Sequence, residues 1–484
     1  MGVVSCEEMR SVEQCAFAAG ATPEGLMEKA GLKCAEAVRQ FRPEPGVVAV
    51  FFGKGHNGGD ALVAARHLAS WGWKIALRPS HDQGDWAPLT RLQHERLDAV
   101  FETPDKANVI LDGLLGIGSQ GALSGAILEA ARELNMLRLE NGALTFAIDL
   151  PTGLHGDTGV ADHHAVVADV TLAIGCAKLG LIADGALNLV GRLAVLTLDE
   201  FVIPDAECEV AHAGSLRGCL KRRRFDYHKG DAGRVVVVAG SMGMAGAGAL
   251  CASGALRGGA GLVTLASTQD MQPVLAALCP PEVMVKPVQR LRDALEFPRD
   301  VLVVGPGLGV SRHEEIKELL RLAEGPVIVD ADGLNAIAGR LDILHTGKGE
   351  RLLTPHPGEM ARLATLHGTR LETARAFVAA HPVTLLYKGS RTVVAAPDEP
   401  LSFNSTGNPG MSTGGMGDVL SGVLGALVAQ GLRTYEAARL GAWLCGRAAE
   451  RCIFHGVQSE ETLVASDILA EMGASFEDLK RNIF

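Results

Sequence analysis

Aromatic residues make up only 4% of the 484 residues, and acid exceeds base, 56 Asp and Glu against 45 Lys and Arg, for a formal net charge of −11. A nucleic-acid binder needs the opposite balance, so that class is not expected. The ten cysteines contain no CxxC pair and no other metal-ligand spacing. They read as reduced, mostly buried thiols of a cytoplasmic protein. No charged n-region with an apolar core opens the chain and no apolar run approaches membrane-spanning length, so neither secretion nor insertion is expected. The Walker pattern GxxxxGK[ST] is missing too, and a nucleotide would have to be held by scattered residues instead. Glycine, by contrast, is abundant at 59 residues, and 47% of the chain is hydrophobic. That is ample core for two or three domains, and glycine use of this kind suits α/β folds whose loops approach ligands through bare backbone.

The stretch Asn408 to Gly422, NPGMSTGGMGDVLSG, concentrates that glycine. From Val419 the apolar residues recur as Val419/Leu420, Val423/Leu424 and Leu427/Val428, one buried helix face, until Gly431 closes the run. A loop therefore feeds a helix N-terminus, where unpaired N–H groups and the positive end of the dipole can cradle a phosphate against the Gly414, Gly415 and Gly417 backbone. Asp418 falls in the first turn, placed to take the proton of a substrate hydroxyl as its oxygen meets phosphorus.

Ahead of this, residues 1 to 45 read as helix, Cys6 to Ala19 and then Pro23 to Phe41. Val47 to Phe52 reads as a strand buried on both faces. It empties into GKGHNGGD, Gly53 to Asp60, followed by a helix over Ala61 to Trp71: strand, glycine loop, helix, a phosphate-binding crossover. Gly53, Gly55 and Gly58 formally satisfy GxGxxG, which keeps a nicotinamide-dependent dehydrogenase open, although Asn57 and Asp60 add side-chain oxygens where that fingerprint needs mainly backbone. Asn108 to Leu111 runs into Asp112 and GLLGIGSQG, and Phe146 to Ile148 into Asp149, Pro151 and Thr152. Parallel strands end on one edge, so Asn57, Asp112, Asp149 and Thr152 can converge on one pocket, and their oxygens suit a hard cation rather than zinc.

These motifs, GKGHNGGD, DGLLGIG and AIDLPTGL together with LMEKAG at Leu26 to Gly31, resemble the YjeF N-terminal domain of the NAD(P)H-hydrate epimerase family over about residues 1 to 215. The resemblance implies a Rossmann-like three-layer α/β sandwich that interconverts the R and S forms of hydrated NADH or NADPH. It also implies a potassium ion on Asn57, Asp112 and Thr152. His56, Asn57, Gly58, Gly59 and Asp60 would line the substrate, with Gly116, Ile117, Gly118, Ser119, Gln120, Gly121, Ala122 and Asp149, the last transferring the proton. His56 stands where the family usually has Asn, and Thr152 where it has Ser.

After Leu193 to Leu198, strand-like, the chain reads DEFVIPDAECEVAHAGSL, polar and unperiodic, and the boundary is placed near Ser215. The basic run Lys221 to Arg224 reads as a solvated face. Beyond it strands alternate with helices as in a doubly wound sheet: Val235 to Ala239 ends in GSMGMAGAGAL, Val301 to Val304 in GPGLG, Val327 to Val329 in DADGLN, Leu352 to Leu353 in TPHPGE, and Thr384 to Tyr387 in KGSRT. Each loop admits two readings. Lys388 with Thr392 either grips nucleotide phosphates or forms an exposed hairpin turn. His356 either touches a polar ring or is a satisfied structural histidine. Asp330 and Asp332 either order the rim and a hydrated magnesium or cap a helix from Leu334.

Together HKGDAGRVVVVAGS, GPGLG, TPHPGEMARL, YKGSRT and NPGMSTGGMGDVLSG are similar to the ribokinase-like superfamily, and within it to the ADP-dependent NAD(P)H-hydrate dehydratase family, over about residues 222 to 484. That resemblance implies a second three-layer α/β domain over 216 to 484 which dehydrates S-NAD(P)HX, giving AMP and phosphate from ADP with its magnesium. Ala247, Gly307, Gly309, His356 and Asp418 would contact the hydrated nucleotide, and Lys388, Gly389, Ser390, Arg391, Thr392 and Gly417 the adenine nucleotide. A cytoplasmic homo-oligomer acting on small molecules, with no nucleic-acid or membrane partner, is expected. A sugar or vitamin kinase fused to a non-catalytic nucleotide-binding or interaction domain remains the alternative.

Overall fold

Runs of Val, Ile, Leu and Phe with no polar alternation make strands that need cover on both faces. In the first unit of the computed structural model these are β1 (Val47–Phe52), β2 (Lys74–Pro79), β3 (Val109–Gly113), β4 (Leu144–Ile148), β5 (Val170–Ile174) and β6 (Arg192–Leu196). They pair in parallel in the order β2-β1-β3-β4-β5-β6, and Val48 to Phe52 are fully buried. The structure describes residues 1–97, 106–118, 121–346, 348–365, 368–456 and 458–483, which divide into Met1–His212 and Ala213–Ile483. In the first unit the chain leaves β1 for β2 on one side and then crosses to β3 on the other. Such a switch point opens a crevice at the carboxyl ends of β1 and β3.

Bare backbone fills this crevice. A Cβ on Gly53 would sit 1.9 Å from the carbonyl oxygen of Leu114, and one on Gly58 2.1 Å from that of Gly53. Gly53→Ala must therefore push two backbones apart, and a loss of about 3 kcal/mol is expected, read as a lowered denaturant midpoint of this unit.

Local readings are corrected at several points. The helix after β1 is His56–Ser70, so His56 to Asp60 form its first turns rather than a loop before Ala61. Glycine propensity argued for the later start, but the close contacts at Gly58, and at Gly59 under Met27, outweigh the roughly 1 kcal/mol that each glycine costs in a helix. Val3–Val4 is a short strand, paired in parallel with Ala177–Lys178, ahead of the helix Cys6–Ala18. The supposedly unperiodic junction contains the strand Cys208–Ala211.

In the second unit the strands are β7 (Arg234–Val238), β8 (Leu262–Thr268), β9 (Val283–Val288), β10 (Val301–Val304), β11 (Val327–Val329), β12 (Arg351–Leu353), β13 (Thr384–Tyr387), β14 (Val393–Ala395) and β15 (Leu401–Asn404). Their order is β9-β8-β7-β10-β11-β12-β13-β14-β15, parallel from β9 through β13 and antiparallel thereafter. The switch point lies between β7 and β10, where the GSMGMAG and GPGLG loops meet. The helix Met416–Ala429 packs backbone to backbone on Ala245–Arg257. A Cβ on Gly422 would lie 1.9 Å from the Cys251 carbonyl, and one on Gly254 2.3 Å from that of Val419. This seam fixes the height at which the first turn, with Asp418, meets the sheet edge.

Candidate active sites

At the first crevice Asp112 closes β3 with no exposure to solvent. Its carboxylate accepts from the Thr152 amide at 2.8 Å, the Thr152 hydroxyl at 2.7 Å and the Leu114 amide at 3.2 Å. The Leu115 amide in turn donates to the Thr152 hydroxyl at 3.1 Å. Asn57 spends both amide hydrogens on the carbonyls of Leu115 and Ile148, at 2.9 and 3.1 Å. Among the described residues no donor reaches its Oδ1 and no cationic side chain reaches Asp112. Burial pushes the Asp112 carboxyl up to about 6, opposed by the Thr152 and Leu114 hydrogen bonds. The structure thus brings Asn57, Asp112 and Thr152 to the loop that follows β3.

Asp149, directly after β4, stands at φ 66, a conformation L residues seldom hold. Its Oδ1 accepts from the Ile174 amide at 3.2 Å and from the Lys178 ammonium, which also donates to the Ile174 carbonyl at 3.0 Å. Gly116, Ile117 and Gly118 continue the β3 loop, with the Ile117 carbonyl accepting from Arg10 at 3.1 Å. Gly121 and Ala122 border a cavity of about 320 Å³ with Gly153, Leu154, His155 and Asp162. Ser119 and Gln120 lie outside the described residues. The helix His56–Ser70 starts on Gly55 with no side-chain cap, which leaves its first amides to a ligand.

At the second site, the helix Met416–Ala429 starts on Gly415 at φ 91, again without a side-chain cap, and puts Asp418 in its first turn. Burial pushes the Asp418 carboxyl up to about 7; the charges of Asp330 and Asp332 add to this and Lys388 opposes it. Asp330, 1% exposed after β11, accepts from Lys388 at 2.8 Å and from the Ser421 hydroxyl at 2.7 Å. Glu359 lies 3.8 Å from the same ammonium. Lys388 to Thr392 form the hairpin between β13 and β14, with Gly389 and Ser390 exposed, Arg391 buried, and the Thr392 hydroxyl donating to Gly389 at 3.2 Å. The ammonium is thus held beneath Gly417, whose notional Cβ would lie 3.3 Å from it.

His356 caps the helix Pro357–Leu363, its Nδ1 accepting from the Gly358 amide at 3.0 Å while half of its side chain stays exposed. Asp332 opens the helix Asp332–Ile337, two residues ahead of the expected Leu334, and accepts from the Gly309 amide at 2.7 Å. Gly307 packs on Ala247, with Ser241 donating to its carbonyl at 2.8 Å. A hydroxyl brought to Asp418 would face a carboxyl poised near neutrality beside unpaired helix amides, the equipment of phosphoryl transfer.

Comparison with known proteins places a family on each unit. A family model described as YjeF-related protein N-terminus matches residues 23–180, and one described as NAD(P)H-hydrate dehydratase matches residues 235–470, each inside one unit. The bifunctional NAD(P)H-hydrate repair enzyme Nnr of Moorella thermoacetica is 36% identical across 97% of this chain and 95% of its own. Its namesake from Escherichia coli is 35% identical across 91% and 87%. The chain belongs to the bifunctional NAD(P)H-hydrate repair enzyme family. Among solved structures, the ADP/ATP-dependent NAD(P)H-hydrate dehydratase from Bacillus subtilis, co-crystallised with ATP and Mg2+, superposes with a TM-score of 0.50 at 28% identity, over 55% of this chain and 97% of that one.

For a repair enzyme of this family the cation chemistry of the two sites differs. The Asn57 Oδ1, the Asp112 carboxylate and the Thr152 hydroxyl are oxygen donors that fit a hard cation. In the second unit Asp330 is already paired with the Lys388 ammonium, as Asp112 is not with any cationic side chain among the described residues. Among the described residues no group of three or more His, Cys, Asp or Glu could hold a metal ion. That suits magnesium arriving on nucleotide phosphates with its own waters rather than a protein cage. Sequence reading missed Lys178, Glu359 and Ser421. A signal existed for Lys178, a single charge in the otherwise small and apolar AIGCAKLGLIA. Glu359 is buried in the structure, but in PGEMARL it reads as an ordinary first-turn helix residue and gave none.

Proposed function

We propose that the chain repairs hydrated NADH and NADPH in two steps. Residues 1–215 interconvert the R and S forms, and residues 216–484 dehydrate the S form at the expense of ADP, giving AMP and phosphate. Asp418 carries the reading: a carboxyl poised near pH 7 at an uncapped helix N-terminus is matched to deprotonating an alcohol as it is phosphorylated. The hydrate bears its added hydroxyl on C6 of the nicotinamide ring, and hydroxide is a poor leaving group. Asp418 takes the hydroxyl proton, the Gly414 to Gly417 amides stabilise the transferring phosphoryl, and phosphate then departs from C6 carrying away the proton that C5 gives up as the C5–C6 double bond re-forms. Magnesium neutralises the nucleotide phosphates when bound. Lys388 to Thr392 and Gly417 hold the adenine nucleotide; Ala247, Gly307, Gly309 and His356 hold the hydrate.

The test is recovery of reduced-nicotinamide absorbance from an epimeric mixture with ADP, with ATP and with neither. Complete recovery with ADP, falling to half in Asp149→Ala, supports both activities. A stable phosphorylated alcohol as product would instead favour the sugar or vitamin kinase. We assign potassium to Asn57, Asp112 and Thr152, where it offsets the buried Asp112 charge. Exchanging potassium for tetramethylammonium, or substituting Asp112→Asn, should slow epimerisation by about 10- to 100-fold while dehydration of pure S form is unchanged. A cytoplasmic homo-oligomer is expected, and sedimentation of the pure protein checks the association.

A further inference from the structure

Lys178 has no part in the reading above, yet its side chain is only 1% exposed and its ammonium is committed to Asp149 and the Ile174 carbonyl. Two further carboxyls share its surroundings, Glu13 on the helix Cys6–Ala18 and Asp60 on the helix His56–Ser70, both near enough for the charges of Asp149 and Lys178 to act on them. Neither forms a hydrogen bond or salt bridge among the described residues. One ammonium cannot compensate three carboxylates in a part-buried site, and the two that it does not touch, Glu13 and Asp60, are pushed toward their protonated forms. Burial pushes the Asp60 carboxyl well above its usual range, with Asp149 and Glu13 adding to the effect. The placement matters as much as the charge. Asp60 lies in the helix that follows β1 and Asp149 directly follows β4, and β3 lies between these strands, so the two residues flank the crevice at the end of β3.

We propose that epimerisation runs through an acid–base pair, Asp60 as proton donor and Asp149 as proton acceptor, with Lys178 as the positioning residue that fixes which carboxyl is which. This rests on the epimerase reading of the first unit. The C6–O bond breaks as the Asp60 proton passes to the departing oxygen, releasing water, while the N1 lone pair becomes the second bond of an N1=C6 iminium. A water on the opposite face forms the new C6–O bond, the iminium pair returns to N1, and Asp149 takes the proton that the water loses. One water leaves, one enters, and solvent returns the proton from Asp149 to Asp60. No redox partner is needed.

The experiment follows a single purified epimer in 18O-labelled water with the full chain. Wild type should incorporate one 18O per inversion. Asp60→Asn and Asp149→Asn should each lower kcat by about 100-fold or more. Lys178→Met should match them in kcat with KM little changed, and Lys178→Arg should restore most of the rate. A merely structural lysine would not give that kcat-against-KM split. Dehydration of the S form in each variant reports that the chain is folded. Inversion by wild type without 18O uptake, or full activity in Asp60→Asn, overturns the pair while leaving the epimerase reading intact. No inversion by wild type above the enzyme-free rate overturns that reading itself.

Discussion

Asp418→Asn should abolish dehydration, by about 1000-fold or more in kcat, and at the same time make the second unit more stable. Both effects come from one environment. Burial, Asp330 and Asp332 push the Asp418 carboxyl up to about 7, from the 3.8 of an ordinary aspartate. A base works only when ionised, so dehydration by wild type should fall as pH drops below about 7 and level off above it. Stability has the other sign. Below pH 4 the carboxyl is protonated in folded and unfolded chains alike and costs nothing. As pH rises through 7 the unfolded chain is already ionised while the folded one must bury the charge. The penalty reaches up to roughly 4 kcal/mol above pH 7. The neutral amide removes it, so thermal unfolding should show variant and wild type nearly equal at pH 4 and the variant more stable at pH 8. Equal stability at pH 8 would mean that Asp418 is ionised without cost, and the poised-base account would fail with it.

Where sequence and structure agree, and where they part, has a physical cause. Unbroken apolar runs such as Val301–Val304 and Thr384–Tyr387 announce strands buried on both faces, and the strands span those same residues. The glycine loops at their ends were legible because glycine there has a steric cause that survives in one dimension. Helix starts were not, since His56 to Asp60 read as loop by propensity and are helical only because Gly53 and Met27 pack against them. Ion pairs were the least legible. Asp330 and Lys388 are 58 residues apart, and Asp149 and Lys178 are 29 apart, joined by the carboxyl edge of each sheet rather than by any local pattern. A sequence lists charges one by one. It does not say which buried carboxylate is paired with a lysine and which, like Asp112, meets no cationic side chain among the described residues.

That pairing gives the second large effect. Removing Lys388 leaves the buried Asp330 and Glu359 without the ammonium they share, so Lys388→Met should cost about 3 to 5 kcal/mol. Asp330→Asn should cost less, about 2 kcal/mol, because the ammonium retains Glu359 at 3.8 Å. The double variant should be more stable than the sum of the two losses predicts, the signature of a direct pair in a double-mutant cycle. Catalysis separates pairing from nucleotide binding. Lys388 holds the Asp418 carboxyl down and Asp330 holds it up. The acid limb of dehydration should therefore move to higher pH in Lys388→Met and to lower pH in Asp330→Asn, with ADP saturating in both assays. If the limb stays fixed and only the KM for ADP rises in Lys388→Met, the lysine serves the nucleotide alone. If the limbs move in opposite directions, the same ammonium both receives phosphate and sets the pH at which Asp418 becomes a base.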